Sequence, residues 1–168
     1  MAVLDTDFLI AYLREKYKSY EVLQQLKNDQ VNLKTTVFNV AELYKGCYNM
    51  KNVAKGLRSV KNLIESLNEI LTFNKKSIEE YAKISADLKN RGELIGTMDE
   101  LIASVCVAHK ETFYTRNKTH FEKIEDLSIV NWYELGQKLK EEELKYFYDI
   151  NLEFSFKRNY IRCYIFYF

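Results

Sequence analysis

Ala2-Val3-Leu4-Asp5-Thr6-Asp7-Phe8-Leu9-Ile10 runs from three apolar residues straight into an acid, and a second apolar stretch follows at once. A short hydrophobic run of this kind reads as a buried strand, with Asp5 on the lip beyond its carboxyl end. In an open α/β sheet that crevice is where ligands bind. A carboxylate placed there costs desolvation unless it is paired or holds a cation. Asp5 therefore predicts further acids converging on it, and the chain offers Glu42 and Asp99.

Strands and helices alternate outward from that start. Asp7 is placed to cap a short helix over 8–14, and Ser19 opens a helix to about Asn28 with Val22, Leu23 and Leu26 on one side. Val31 to Thr35 alternates apolar and polar residues as a second strand. Thr36 is an N-cap for the next helix, which carries Val37, Val40, Ala41, Leu43 and Tyr44, with Glu42 in its second turn. Residues 51–67 form a long amphipathic helix striped by Val53, Leu57, Val60, Leu63, Ile64 and Leu67. Ile70 to Phe73 is a third strand. Ser77 caps a helix to about Arg91, which Gly92 ends. Thr97 with Glu100 three residues later fits a capping box and puts Asp99 in the first turn of a helix to about His109. Thr112 to Thr115 and Leu127 to Val130 are strands four and five, separated by a loop over 116–121. A helix over 132–143 closes the pattern. Strands alternating with helices define an α/β fold, a mainly parallel sheet covered on both faces. No repeat or linker interrupts 1–143, which reads as one domain.

The remainder, 144–168, differs in kind. Ten of the residues in 145–168 are aromatic, from Tyr146 to Phe168, and they follow no clean period. Such a segment is too apolar to stay solvated, so it packs on the domain, packs on another chain, or aggregates. Its interleaved Lys and Arg also suit stacking on unpaired bases.

Composition narrows the classes. A net charge of +1 gives no global field for nucleic acid, so any such contact is local. Cys47, Cys106 and Cys163 are widely spaced and odd in number, which excludes a disulfide framework and a cysteine-rich zinc site. His109 and His120 are too few for a histidine cage. No apolar run approaches the ~20 residues needed to cross a bilayer, and no basic leader precedes the first strand, so a cytoplasmic protein is expected.

Asp5 follows strand one, Glu42 lies under two helical turns beyond strand two, and Asp99 opens the helix before strand four. The sheet can bring all three to one edge. Clustered carboxylates raise one another's pKa values, and a divalent ion removes that penalty. Oxygen-only ligands select a hard cation, Mg²⁺ or Mn²⁺. Such an ion polarises a phosphate and lowers the pKa of bound water, which implies phosphodiester hydrolysis. Thr6, Thr115 and Asn117 are candidates for orienting ligands, and Arg116 and Lys118 for holding substrate phosphates. Each residue also has a plain reading. Asp5 could be a strand-end turn residue, Glu42 a solvated helix residue, and Asp99 a helix-start carboxylate. Glu100 reads as a cap, His120 as a loop or core histidine, and Cys47 and Cys106 as small core residues.

These same residues resemble a known family. Leu4-Asp5-Thr6-Asp7-Phe8-Leu9-Ile10 is similar to the opening of PIN-domain proteins. So are Thr36 to Leu43 with Glu42, Ile95 to Ala103 with Asp99, and Tyr114 to Phe121 with Asn117. The likeness is to the VapC-type toxin ribonucleases and spans roughly 1–135. It implies a three-layer α/β/α sandwich with the sheet order 3-2-1-4-5. It also implies a Mg²⁺- or Mn²⁺-dependent endoribonuclease acting on RNA, a homodimer, and a cognate VapB-type antitoxin. The family's acidic positions fall on Asp5, Glu42 and Asp99. A fourth acid is often found where this chain has Asn117, which can ligate through its carbonyl oxygen but supplies no charge. A groove between the helices around Tyr44 and Val60 is the expected antitoxin surface. Two alternatives compete: a non-catalytic PIN-like binding module, with Asn117 marking a decayed site, and a haloacid dehalogenase-like phosphatase built on Asp5-Thr6-Asp7. The second lacks the Thr or Val expected at Leu9, and it wants an acidic pair after a strand, whereas Asp99-Glu100 opens a helix.

Overall fold

The first strand, β1 (Ala2–Leu4), is buried on both faces and divides the core in two. Ala2 and Leu4 join one apolar cluster and Val3 joins the other, as a period of two requires. The computed structural model describes residues 1–16 and 18–146. Four further strands are β2 (Leu33–Thr36), β3 (Glu69–Leu71), β4 (Thr112–Thr115) and β5 (Ile129–Asn131). All neighbours pair in parallel, in the order β3-β2-β1-β4-β5.

Helices cover both faces. α1 (Thr6–Leu13), α2 (Ser19–Asn28), α3 (Val37–Tyr48), α4 (Val53–Glu65) and a final helix over 132–146, α8, enclose the first cluster. Phe8, Leu9, Val22, Leu43, Val60 and Trp132 fill it. α5 (Lys75–Arg91) and α6 (Thr97–His109) enclose the second, with Leu88, Ile102, Val105 and Phe113. One helical turn, α7 (Lys118–Phe121), follows β4 and is anchored by Phe121, whose ring lies 4.8 Å from that of Phe113. The expected three-layer α/β/α sandwich and its strand order are therefore present.

Several boundaries differ from the sequence reading, each for a local reason. Asp5, not Asp7, caps α1: its Oδ1 accepts the Thr6 N–H at 2.7 Å. Asn74, not Ser77, caps α5, with its Oδ1 accepting the Ser77 N–H. The Thr97 capping box does not form, because Gly96 is the N-cap and Thr97 already lies inside α6. A different box caps α3, built from Thr36 and Asn39. β2 starts two residues after Val31, and β3 and β5 are each displaced by one or two residues. Leu127 is buried, but in the turn before β5. The span 116–121, read as a loop, contains α7. Gly92 closes α5 in the left-handed region at φ +69°, as expected. Residues 147–168, most of the aromatic stretch, lie outside the described residues.

Away from the carboxyl ends of the strands, Lys34 is held between two acids. Its Nζ lies 2.7 Å from Glu69 Oε2 and 3.1 Å from Glu111 Oε1. Glu111 is buried, and its Oε2 has no hydrogen-bond partner among the described residues.

Candidate functional site

The connection from β1 leads to β2 on one side, while β4 lies on the other, so the chain switches direction between β1 and β4. The crevice beyond their carboxyl ends is the expected ligand position in such a sheet. Asp5 stands in it, 8% exposed. Its Oδ1 accepts the Thr6 N–H at 2.7 Å and the Asn39 Nδ2–H at 3.0 Å. Its Oδ2 accepts the Thr115 hydroxyl at 2.6 Å. Burial, ahead of the charge of Asp7, pushes the Asp5 carboxyl from 3.8 up to about 7, and Glu42 adds to the rise. The Thr115 hydroxyl and the Thr6 N–H hold it back. Among the described residues, the groups bonded to the carboxyl are neutral donors.

Glu42 is joined to this group through Thr6, whose hydroxyl donates to Glu42 Oε2 at 2.6 Å. The same hydroxyl accepts from Asn39 Nδ2 at 3.0 Å. Thr115 Oγ1 in turn accepts the backbone N–H of Asn117 at 3.0 Å, which sets the start of α7 against Asp5. The Asn117 side chain makes no capping bond to its helix.

Asp99 comes to the same edge by topology. α6 runs into β4 through a short turn, so its N-terminus lies beyond the carboxyl ends of the strands. Asp99 Oδ2 is 3.5 Å from Nδ1 of His120 in α7. His120, read from sequence as a loop or core histidine, is therefore a half-exposed neighbour of Asp99 on the single turn α7. Glu100, read as a cap, is buried instead.

Asp5, Thr6, Glu42, Thr115 and Asn117 are thus joined by direct bonds, and Asp99 adjoins them through the α7 segment. Arg116 and Lys118 are exposed beside them. The cleft expected around Tyr44 and Val60 is two hollows. Val60 lines one of about 300 Å³ with Ile10, Leu43 and Met50, while Tyr44 lines another with Tyr48, Leu57 and Arg58.

Two residues of the site were not identified from sequence. Asn39 is fully buried and bridges Asp5 and Thr6. Its only sequence signal is a polar residue three positions after a Thr N-cap. Asp7 ties three elements together: Oδ1 accepts from Trp132 Nε1 at 2.8 Å, and Oδ2 accepts the Arg116 N–H at 3.0 Å. These bonds occupy the carboxylate that a phosphatase reading needs as its acid.

The donor set is hard oxygen throughout, and a buried acid raised to about 7 with a second carboxylate one hydroxyl away suits a divalent cation. Among the described residues, no three His, Cys, Asp or Glu side chains stand in ligating geometry. The acids fit the ion by chemistry and by shared edge, not as a closed cage.

With this geometry in view, sequence comparison gives the family: the model of the PIN domain matches residues 2–127. The chain belongs to the PIN-domain family. It is 30% identical over 132 residues to Ribonuclease VapC2 of Rickettsia felis, covering 77% of this chain and 96% of that protein. It is also 30% identical over 132 residues to Ribonuclease VapC1 of Haemophilus influenzae, with the same coverage. Among solved structures, it resembles the chain in VapBC2 from Rickettsia felis bound to a promoter DNA fragment, with TM-score 0.72 and 25% identity over 78% of this chain and 98% of that one. It resembles VapBC-1 from nontypeable Haemophilus influenzae with TM-score 0.67 and 30% identity, over 78% and 97%. The PIN match spans β1 to the turn before β5 and contains Asp5, Glu42, Asp99 and Asn117. No helix among the described residues is long and apolar enough to cross a membrane.

Proposed function

We propose that this chain is an endoribonuclease, the toxin of a VapBC-type toxin–antitoxin pair, which hydrolyses RNA phosphodiester bonds with a VapB-type antitoxin as its partner. The observation that carries this reading is Asp5: a buried carboxylate at the β1/β4 crevice, held by three donors and raised to about 7 by burial and by the charges of Asp7 and Glu42. Relatives named Ribonuclease VapC and solved VapBC complexes support it.

Asp5, Glu42 and Asp99 would hold Mg²⁺ or Mn²⁺, directly or through water, with Asn117 contributing a neutral oxygen. When bound, such an ion supplies charge to a scissile phosphate and lowers the pKa of water. The chain's own residues do the rest. Thr115 and the Thr6 N–H fix the Asp5 carboxylate, and Thr6 fixes Glu42. Arg116 and Lys118, exposed at the mouth, contact substrate phosphates. A homodimer in the cytoplasm completes the proposal.

Expression of the wild type and of Asp5→Asn in cells, with RNA ends mapped, tests it. New 5′ ends and arrested growth are expected with the wild type alone. Identical ends and growth in both would defeat the nuclease reading and favour a non-catalytic binding module.

A further inference from the structure

Asn39 is a fully buried amide at the third position of α3, and every polar contact it makes has a direction. Its Oδ1 faces Thr36, accepting the backbone N–H at 3.3 Å and the hydroxyl at 2.5 Å. A backbone N–H can only donate, so this end of the amide must be oxygen. The other end is then the NH₂ group, with one proton directed at Asp5 Oδ1 and one at Thr6 Oγ1, both at 3.0 Å. Thr6 Oγ1, accepting from Asn39, has its single proton left for Glu42 Oε2 at 2.6 Å. One amide thereby orders two carboxylates that are 37 positions apart in the chain.

Capping alone does not require this residue. A capping box uses only the oxygen end, and Glu or Gln is the usual choice there. Glutamate would set a third negative charge against Asp5. Asparagine caps with its oxygen and leaves a neutral pair of donors for the site.

We propose that Asn39 is a positioning residue for the cation site: its NH₂ group holds Asp5 directly, and Glu42 through Thr6, in the arrangement that receives a divalent ion. This rests on the function proposed above. Outer-shell partners of this kind typically alter metal affinity or activity by about 10–100-fold.

Two full-length variants test it beside the wild type. Asn39→Asp keeps the size and the capping oxygen but replaces the donors by an acceptor. Asn39→Ser keeps a small polar group at the cap but falls short of Asp5 and Thr6. Mn²⁺ affinity is measured by calorimetry, kcat and KM on RNA by cleavage assay, and unfolding midpoint without metal. The expected result is a folded variant with Mn²⁺ affinity weakened at least about tenfold, kcat lowered and KM for RNA near the wild-type value. Folded variants with wild-type Mn²⁺ affinity and only a shifted midpoint would assign Asn39 to capping alone and overturn the inference. Either variant decides the matter if the other fails to fold. If neither folds, Thr6→Val, which cuts the same link to Glu42 outside the cap, is expected to weaken Mn²⁺ affinity, and unchanged affinity overturns the inference. A wild type that binds no Mn²⁺ and cleaves no RNA overturns the functional reading and this inference together. A wild type that does both, beside variants that match it, overturns this inference alone.

Discussion

The Thr115 hydroxyl donates to Asp5 Oδ2 at 2.6 Å across 110 residues of sequence, closing β4 onto β1 at the mouth of the crevice. Thr115 Oγ1 also accepts the Asn117 N–H, so one side chain fixes both an acid and the segment that carries Asn117. Thr115→Val keeps the shape and removes both bonds. The expected cost is about 1–3 kcal/mol, because the buried Asp5 carboxylate loses one of its three donors and the part-buried Asn117 N–H loses its acceptor. Since Thr115 holds the Asp5 pKa down, that pKa should rise above 7 in the variant. Urea unfolding and a carboxyl NMR titration check the two effects, and a stable variant with unchanged Asp5 titration would contradict them.

Asp5 itself should weaken the metal-free fold at neutral pH. Its carboxyl is at about 7 in the folded chain against an ordinary 3.8. Between those values the folded state binds more protons than the unfolded state, so stability falls as pH rises through that window. Asp5→Asn removes the ionisation. In EDTA the variant should exceed the wild type by on the order of 4 kcal/mol at pH 8 and match it near pH 4. Unfolding curves at the two pH values measure this; a variant less stable than wild type at pH 8 would refute it.

Metal binding should narrow that difference. Mn²⁺ at a hundredfold excess over Kd should stabilise the wild type by about 2.7 kcal/mol and leave Asp5→Asn unchanged. Binding must displace the Asp5 proton, so affinity should fall as pH drops below 7, by about tenfold per unit. Calorimetry at pH 6 and pH 8 reads the difference directly. Equal affinity at both would show that Asp5 is not a ligand.

Asp7→Ala removes the acceptor shared by Trp132 Nε1 and the Arg116 N–H. A loss of about 1–3 kcal/mol is expected. Trp132 is the one tryptophan of the chain and is fully buried, so its emission reports unfolding without a label. Asp7 is also the second cause of the raised Asp5 pKa, so Asp5 should titrate lower in this variant. An unshifted Asp5 would dismiss that coupling.

The fold was largely legible because its signals are local. A buried strand ending in Asp5, a Thr36 cap and an amphipathic stripe through Val60 each announce themselves within a few residues. The nearness of Asp5 and Glu42 was legible because βα order brings a strand end and the helix after the next strand to one edge, and Thr6 joins the two; Asp99 shares that edge by topology, with His120 as its neighbour. What stayed hidden depends on distant partners. Asn39 looks like an ordinary polar helix residue until Asp5 is placed beside it, and Asp7 looks like a cap until Trp132 arrives 125 positions later. The shifted ends of β2 and β3 reflect parallel pairing, which neither strand can specify alone.

Lys34 gives the sheet a check on its own assembly. Glu111 sits just before β4, yet the cation it needs is on β2, with β1 lying between the two strands. Any arrangement that leaves β2 out of place strands a buried anion in an apolar environment, at a cost of several kcal/mol. The far end of the sheet thereby penalises mispaired folding intermediates, and β1, the strand that leads into Asp5, is the one held between.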